Sequence, residues 1–105
     1  MKAFDLKQAM TFNSASHVKK VLHEAEGFKV LAVALEAGTS IPACVMHSHT
    51  VFYFSGGRGR IEVDGESTDI NDGVVVVVSP GAARAVFADE RILVVAVQIH
   101  ESRAG

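Results

Sequence analysis

Hydrophobic and polar residues alternate over short runs along most of this chain, and turns rich in glycine separate the runs. Alternation with a period of two predicts β-strands with one buried face, and short strands at fairly even spacing are typical of a β-sandwich or barrel. The pattern predicts strands at 18–24, 28–36, 41–49, 51–54, 58–63, 66–70, 74–78, 83–88 and 92–100. We therefore expect an all-β fold, with room for a single helical turn at 5–10.

Three segments carry local signals of their own. Asp64-Gly65 separates two predicted strands, and this pair is typical of a tight type I′ hairpin turn. The consecutive valines from Val74 to Val78 show no alternation, which predicts a strand covered on both faces. The segment 56–59 is rich in glycine but lacks the ending and the following helix of a phosphate loop, so we interpret it as a turn between strands.

The segment His47-Ser48-His49 is the first candidate for chemistry. If one strand continues from Ile41 through His49, alternation places His47 and His49 on one face and Cys44 on the opposite face. Cα atoms two residues apart are separated by roughly 6.5–7 Å, so both imidazoles can converge on one ion or substrate. Cys44 has no neighbouring charge in the sequence, and we predict a buried apolar residue there.

Composition and charge narrow the class of protein. The chain has 105 residues, of which 49% are hydrophobic and 21% are charged, as expected for one globular domain with its own core. A formal net charge of −2 with scattered basic residues disfavours nucleic acid and anionic membranes as partners. No segment has the apolar length of a signal peptide or a membrane span, and the single cysteine forms no intramolecular disulfide, so we expect a cytoplasmic protein.

A series of short motifs follows the order and approximate spacing of the two motifs of a known superfamily. They are Gly38, His47-Ser48-His49, Phe52-Tyr53-Phe54, Gly57-Arg58-Gly59, Val63-Asp64-Gly65-Glu66, Gly73 and Ser79-Pro80-Gly81. The chain thereby resembles the small single-domain cupins over roughly residues 28–99, with an N-terminal hairpin or arm at 1–27 and a frayed tail at 101–105. The resemblance implies one cupin domain, 1–105, folded as a double-stranded β-helix or jelly-roll barrel with its site in the barrel mouth.

The resemblance also implies a metal site, from which this sequence departs at two positions. Cupins of this type hold Fe, Mn, Zn, Ni or Cu with two histidines, a glutamate and a third histidine. His47 and His49 match the first two ligands, but Thr50 stands at the glutamate position. Arg84 stands at the position of the third histidine. A hydroxyl and a permanent cation remove two donors and add repulsion against a divalent ion.

Three interpretations of the histidine pair stay open. His47 and His49 are hydrogen-bonded residues that fill the barrel, or they bind a divalent transition metal such as Zn, Fe, Mn or Ni. His100 is the best third imidazole by residue type. In the third interpretation, the pair forms with Thr50 and Arg84 a pocket for a small anion, because a guanidinium matches a carboxylate or phosphate. The simplest alternative for Arg84 is an exposed position on the outside of a strand.

Two classes of function follow from these interpretations. We rank first a small cupin that binds a small polar or anionic molecule in the barrel mouth. The alternative is a metal-dependent cupin enzyme, a dioxygenase, isomerase or lyase, with His47 and His49 as metal ligands. We also expect a homodimer, because a small barrel has strand edges to protect and the N-terminal segment can cross to a partner.

Overall fold

The computed structural model describes residues 1–100 and confirms the predicted all-β architecture. A short helix, α1, spans Leu6–Ala9, and no helix in this part of the chain is long and apolar enough to cross a membrane. The strands, in chain order, are β1 Val18–Ala25, β2 Phe28–Leu35, β3 Ser40–Val45, β4 His49–Ser55, β5 Arg58–Val63, β6 Glu66–Asn71, β7 Val75–Val78, β8 Ala83–Ala88 and β9 Ile92–Ile99. The predicted frayed tail, 101–105, lies outside the described residues.

The strands form two antiparallel sheets that enclose one main core. One sheet has five strands in the order β1-β2-β9-β4-β7, and the other has four in the order β3-β8-β5-β6. Side chains from both sheets fill the space between them, and the largest of the fully buried ones are Phe54, Leu35, Ile61, Ile70 and Ile92. Because most neighbouring strands are distant in sequence, residues from opposite ends of the chain meet inside this barrel.

The hairpin between β5 and β6 confirms the prediction for Asp64-Gly65. Asp64 has a φ of 48° and Gly65 a φ of 85°, so both central residues of the turn lie in the left-handed region. A type I′ turn requires this conformation, because its twist matches the twist of the two strands that it joins. The register from Arg58↔Asn71 to Val63↔Glu66 continues without interruption up to the turn.

The valine strand differs from the prediction of a strand covered on both faces. β7 is the edge strand of the five-stranded sheet, where it pairs with β4. Val78 is buried, but Val75 is 56% exposed and Val77 is 69% exposed, so only the inner face is covered. An unbroken valine run has no polar position to show which face is open. That prediction was therefore wrong about the outer face.

The N-terminal segment packs on the outer face of the five-stranded sheet. Asp5 caps α1 by accepting hydrogen bonds from the backbone N–H groups of Lys7 and Gln8, at 3.0 and 3.4 Å. The segment forms a second apolar cluster with the sheet, consisting of Met10, Ala32 and Ala34 with Leu6, Ala9, Phe12, Val18, Leu22 and Leu93 around them. It thus covers the part of this face near β1 and β2 and leaves the β7 side open.

Candidate functional site

The two histidines do not lie on one continuous strand, so that prediction was wrong. β3 ends at Val45, the chain bends at His47 and Ser48, and β4 begins at His49. The bend is tied to the loop before β8, because the Gly81 N–H donates to the Met46 carbonyl at 2.8 Å. The segment has neither glycine nor proline, and this tertiary contact is not visible in the alternation of the sequence.

The bend also separates the histidines from the interior of the barrel. His47 is exposed. His49 pairs across the sheet with Ile99 and follows the alternation of Val51 and Tyr53, which places it on the outer face. Thr50 is on the inner face and is fully buried. Neither histidine lines the cavity that the barrel encloses.

This cavity has a volume of about 130 Å³ and lies between the two sheets. Side chains from both sheets line it, and most of them are apolar. The lining residues are Lys19, Leu31, Val33, Ile41, Cys44, Met46, Phe52, Arg84, Ala85, Val86, Ala96 and Gln98. Among residues 1–100, the polar groups in this lining are one amide, one thiol and two cationic side chains, without an aspartate or glutamate.

Arg84 is the most unusual residue of the lining. It lies in β8 between Cys44 of β3 and Val63 of β5, and its side chain is only 4% exposed. Its Nη2 donates to Thr50 Oγ1 at 3.0 Å, and its guanidinium carbon lies 5.8 Å from the centroid of the Phe52 ring. Its Nη1 is buried and has no hydrogen-bond partner in the part of the chain that the structure describes. The alternative of an exposed surface arginine was therefore wrong, and Arg84 and Thr50 meet as one polar pair in the interior.

The electrostatics of the cavity are positive. Lys19 is on the inner side of β1, because it pairs with Val33, a core residue of β2. Within residues 1–100, no carboxylate forms an ion pair with Arg84 or with Lys19. A buried charge without a partner is strongly unfavourable, so a buried guanidinium is usually paired with an anion. The arrangement is suited to binding a small anion that enters between the sheets.

The residues at and around the two histidines do not fit the metal site implied by the cupin motifs. No group of three or more histidine, cysteine, aspartate or glutamate side chains in the described part of the chain is arranged to hold a metal ion. Thr50 and Arg84 occupy the inner face where further ligands are needed, and a guanidinium cannot donate a lone pair to a metal. His100 follows the end of β9 and is exposed, with its backbone N–H bonded to the Gly27 carbonyl at 2.8 Å.

Cys44 lies in the opposite environment from the one predicted. The alternation of the sequence predicted that Cys44 is buried and faces away from the candidate site. In the structure it is exposed and lines the cavity. The cause is an irregularity in β3 between Ile41 and Cys44, where the register with β8 shifts. A β-bulge inserts an extra residue and reverses the alternation beyond it. Ile41 and Cys44 therefore both face the cavity.

Two polar lining residues were not among the sequence-based candidates. Gln98 is 9% exposed and follows Val94 and Ala96 on the inner face of β9. A polar residue at an otherwise apolar set of alternating positions was the sequence signal that could have identified it. Lys19 gave no such signal, because Lys20 follows it and either lysine could have faced inwards. Only the register of β1 with β2 decides between them.

Comparison with known proteins identifies the fold. No family model matches the chain, and no curated protein does. A solved RmlC-like cupin from Desulfovibrio desulfuricans is 24% identical, with a TM-score of 0.87 over 94% of this chain and 96% of that chain. A Klebsiella pneumoniae protein with a double-stranded β-helix domain is 17% identical, with a TM-score of 0.88 over 100% of this chain and 94% of that chain.

An enzyme is also among the structural neighbours. A variant of salicylate 1,2-dioxygenase from Pseudoaminobacter salicylatoxidans is 18% identical, with a TM-score of 0.76 over 82% of this chain and 27% of that chain. At such identities the likeness concerns the fold alone. The findings confirm the double-stranded β-helix barrel that the sequence motifs implied, a fold that the chain shares with solved cupin structures.

Proposed function

We propose that this small barrel with the cupin fold binds a small carboxylate between its two sheets, and that Arg84 holds the carboxylate group. The observation that carries the proposal is the Arg84 side chain, which is 4% exposed and whose Nη1 has no hydrogen-bond partner among residues 1–100. Buried polar groups in proteins are nearly always hydrogen-bonded, and buried charges are nearly always paired. A bound anion supplies both the missing acceptor and the missing charge.

The chemistry of the cavity favours a carboxylate with a short apolar part. A guanidinium presents a planar fork of donors that matches the two oxygens of a carboxylate. Thr50 accepts from Nη2 and thereby fixes the plane of the fork, and Nη1 is left without an acceptor among the described residues. Leu31, Val33 and Ile41 provide an apolar wall for the remainder of the ligand.

The size of the cavity limits the ligand to a few non-hydrogen atoms. Its volume of about 130 Å³ is small beside the 300–1,000 Å³ that is typical of sites for drug-sized ligands. A short monocarboxylate fits this space, whereas a nucleotide or a sugar nucleotide does not. The proposal concerns binding and assigns no reaction.

The experiment is a calorimetric titration with two matched series of ligands. Acetate, propionate and butyrate carry the charge, and their primary amides have nearly the same shape without it. We expect the acids to bind and the amides not to bind. Affinity should rise along the acid series by about 0.8 kcal/mol for each buried CH₂ group until the cavity is filled. Equal affinity for acid and amide, or no binding by any acid of the series, would contradict the proposal.

Two arginine variants provide the control. Arg84→Met should weaken acid binding by at least about tenfold, because a hydrogen bond to a charged group contributes roughly 1.5–3 kcal/mol. Arg58→Met removes an arginine whose side chain is 71% exposed and pairs with Glu90 at 3.3 Å, outside the cavity. That variant should bind the acids like the native protein. A similar loss in both variants would show a nonspecific effect of net charge.

A further inference from the structure

We propose that Cys44 is a covalent modification site on the wall of the same cavity, and that it reacts selectively with small anionic electrophiles such as 2-halocarboxylates. This inference rests on the proposed function, because the carboxylate site at Arg84 would position the electrophile. Two observations carry it: Cys44 is exposed and lines the cavity, and the buried Arg84 of that cavity has an unpartnered Nη1.

The strand register places the two residues side by side. Cys44 of β3 and Arg84 of β8 are directly opposite each other in the antiparallel ladder. The Cβ atoms of such a pair are about 4.5–5.5 Å apart, and their side chains share one face of the sheet. Because Arg84 is buried and Cys44 is exposed, the guanidinium is at the inner end of the cavity and the thiol is near its opening.

The charges around the thiol favour anionic reagents over neutral ones. Arg84 and Lys19 both line the cavity, and no carboxylate from residues 1–100 is present in the lining. A cleft lined by one sign of charge raises the local concentration of ligands of the opposite sign. An acid whose carboxylate binds the guanidinium is held with its remaining atoms between Arg84 and the opening, where Cys44 is located.

The covalent step is a nucleophilic substitution that needs no further reactant. The thiol loses its proton to solvent, and the sulfur electron pair forms a bond to the carbon next to the carboxylate. The carbon–halogen bond breaks, and the halide leaves with the bonding pair. Neither partner is oxidised or reduced by an external reagent. The product is a thioether that carries the carboxylate, which can stay paired with Arg84.

The experiment compares two alkylating reagents that differ mainly in charge. The protein contains one cysteine, so the gain in intact mass reports alkylation of Cys44 directly. Rate constants are measured with iodoacetate and with iodoacetamide, and their ratio is compared between the native protein and the variants Arg84→Met, Lys19→Met and Lys20→Met. Lys20 serves as the matched control, because it pairs with Ala32 and belongs to the face of β1 outside the cavity.

We expect the ratio of iodoacetate to iodoacetamide rates to fall by about tenfold in Arg84→Met and to fall less in Lys19→Met. Lys20→Met should leave the ratio unchanged. Saturation with a carboxylate that binds in calorimetry should slow alkylation by both reagents. Carboxylate binding without charge selectivity and without protection would overturn the role of Cys44 while leaving the binding function intact. Selectivity that depends on Arg84 without measurable carboxylate binding would support the reactive thiol and overturn the binding function.

Discussion

Arg84 and Thr50 meet between the two sheets although they are 34 residues apart, and Arg84 Nη2 donates to Thr50 Oγ1 at 3.0 Å. Thr50 belongs to the five-stranded sheet and Arg84 to the four-stranded sheet. Threonine satisfies one amino group of the guanidinium but does not neutralise its charge. The interior therefore keeps a buried cation that is oriented and still lacks an anionic partner among the described residues.

This pair predicts that Arg84 lowers the stability of the ligand-free protein. Arg84→Met replaces a buried charge by an apolar side chain of similar length next to Phe52. We expect the free energy of unfolding to rise by about 1 kcal/mol or more, since apolar replacement of buried charges is often stabilising. Thermal unfolding should show a midpoint about 4–8 °C higher for each kcal/mol.

A double variant separates the effect of the Arg84 charge on stability from the effect of the Thr50 hydroxyl. Thr50→Val with Arg84→Met removes both hydrogen-bonding partners and should be at least as stable as Arg84→Met, because no polar group is then left unpaired. If Arg84→Met instead lowers the free energy of unfolding by several kcal/mol, the guanidinium has a structural role, and the account given for it fails.

The positions of His47 and His49 predict that neither contributes to carboxylate binding. The double variant His47→Ala, His49→Ala should keep its affinity within about twofold, because substitutions outside a site typically change energies by less than about 0.5 kcal/mol. Calorimetry with butyrate, in the presence and absence of a chelator, measures this. Loss of binding in the double variant, or binding that the chelator abolishes, would favour the alternative of a metal site.

The contact between Glu36 and Arg91 predicts an acid-dependent loss of stability. Hydrogen bonding from the Arg91 guanidinium, and then from the Ala37 N–H, lowers the pKa of Glu36 below its ordinary value of 4.5. Because the pKa in the folded state is the lower one, the contribution to stability is complete above pH 4.5 and disappears as the pH falls through the folded-state pKa. Arg91 also lies 4.2 Å from the Phe12 ring, so the contact helps to hold the N-terminal segment.

Thermal unfolding of Glu36→Gln at several pH values tests the direction of this pH dependence. The variant should be less stable than the native protein at neutral pH, and the difference should shrink under acid conditions. Glu26→Gln, an exposed substitution in the turn between β1 and β2, serves as the control and should differ little at any pH. A difference that stays constant across the pH range would contradict the assignment.

Gly59 is predicted to tolerate no side chain. A Cβ atom there would lie 2.0 Å from the Phe87 carbonyl oxygen of the neighbouring strand β8. Gly59→Ala should therefore cost about 3 kcal/mol or more, because the backbones of β5 and β8 must move apart. Gly65→Ala, in a turn with φ of 85° and open space around it, should cost roughly 1–2 kcal/mol from backbone strain alone. Denaturant unfolding measures both, and equal costs would contradict this explanation.

The homodimer expected from the sequence stays a prediction. The outer face of the five-stranded sheet exposes Tyr53, Val75 and Val77 beside the edge strand β7. We predict that a second copy of the chain covers this apolar face. Light scattering after size-exclusion chromatography should give twice the chain mass for the native protein and a lower mass for Val77→Lys. A monomeric mass for the native protein would contradict the prediction.

Most strands were predictable because their signals are local. Alternation identifies a half-buried strand from its own residues, and Asp64-Gly65 specifies its turn by the conformations that these two residues tolerate. The cupin motifs then indicated how the strands are arranged, which alternation alone does not decide. The outer face of the valine strand was not predictable, because its exposure depends on the edge position of β7.

The candidate site was only partly predictable, because it depends on two irregularities of β3. The shift between Ile41 and Cys44 arises in the pairing with β8, and the bend at His47 is tied to Gly81. Each irregularity changes which side chains face inwards, so the alternation gave the wrong face for Cys44. Thr50 and Arg84 were identified as departures from the cupin motif, but their hydrogen bond follows from how the two sheets pack.

The most direct test of a carboxylate site at Arg84 is NMR of the arginine guanidinium groups during titration with butyrate, with the Arg84 signals assigned by their loss in Arg84→Met. With a carboxylate bound at Arg84, the Arg84 Nη–H signals should shift and saturate with the same Kd as the calorimetric titration. The signals of the exposed Arg58 should not move. Arg84 signals that stay unchanged while butyrate binds elsewhere, or that do not change at any butyrate concentration, would contradict a carboxylate site at Arg84.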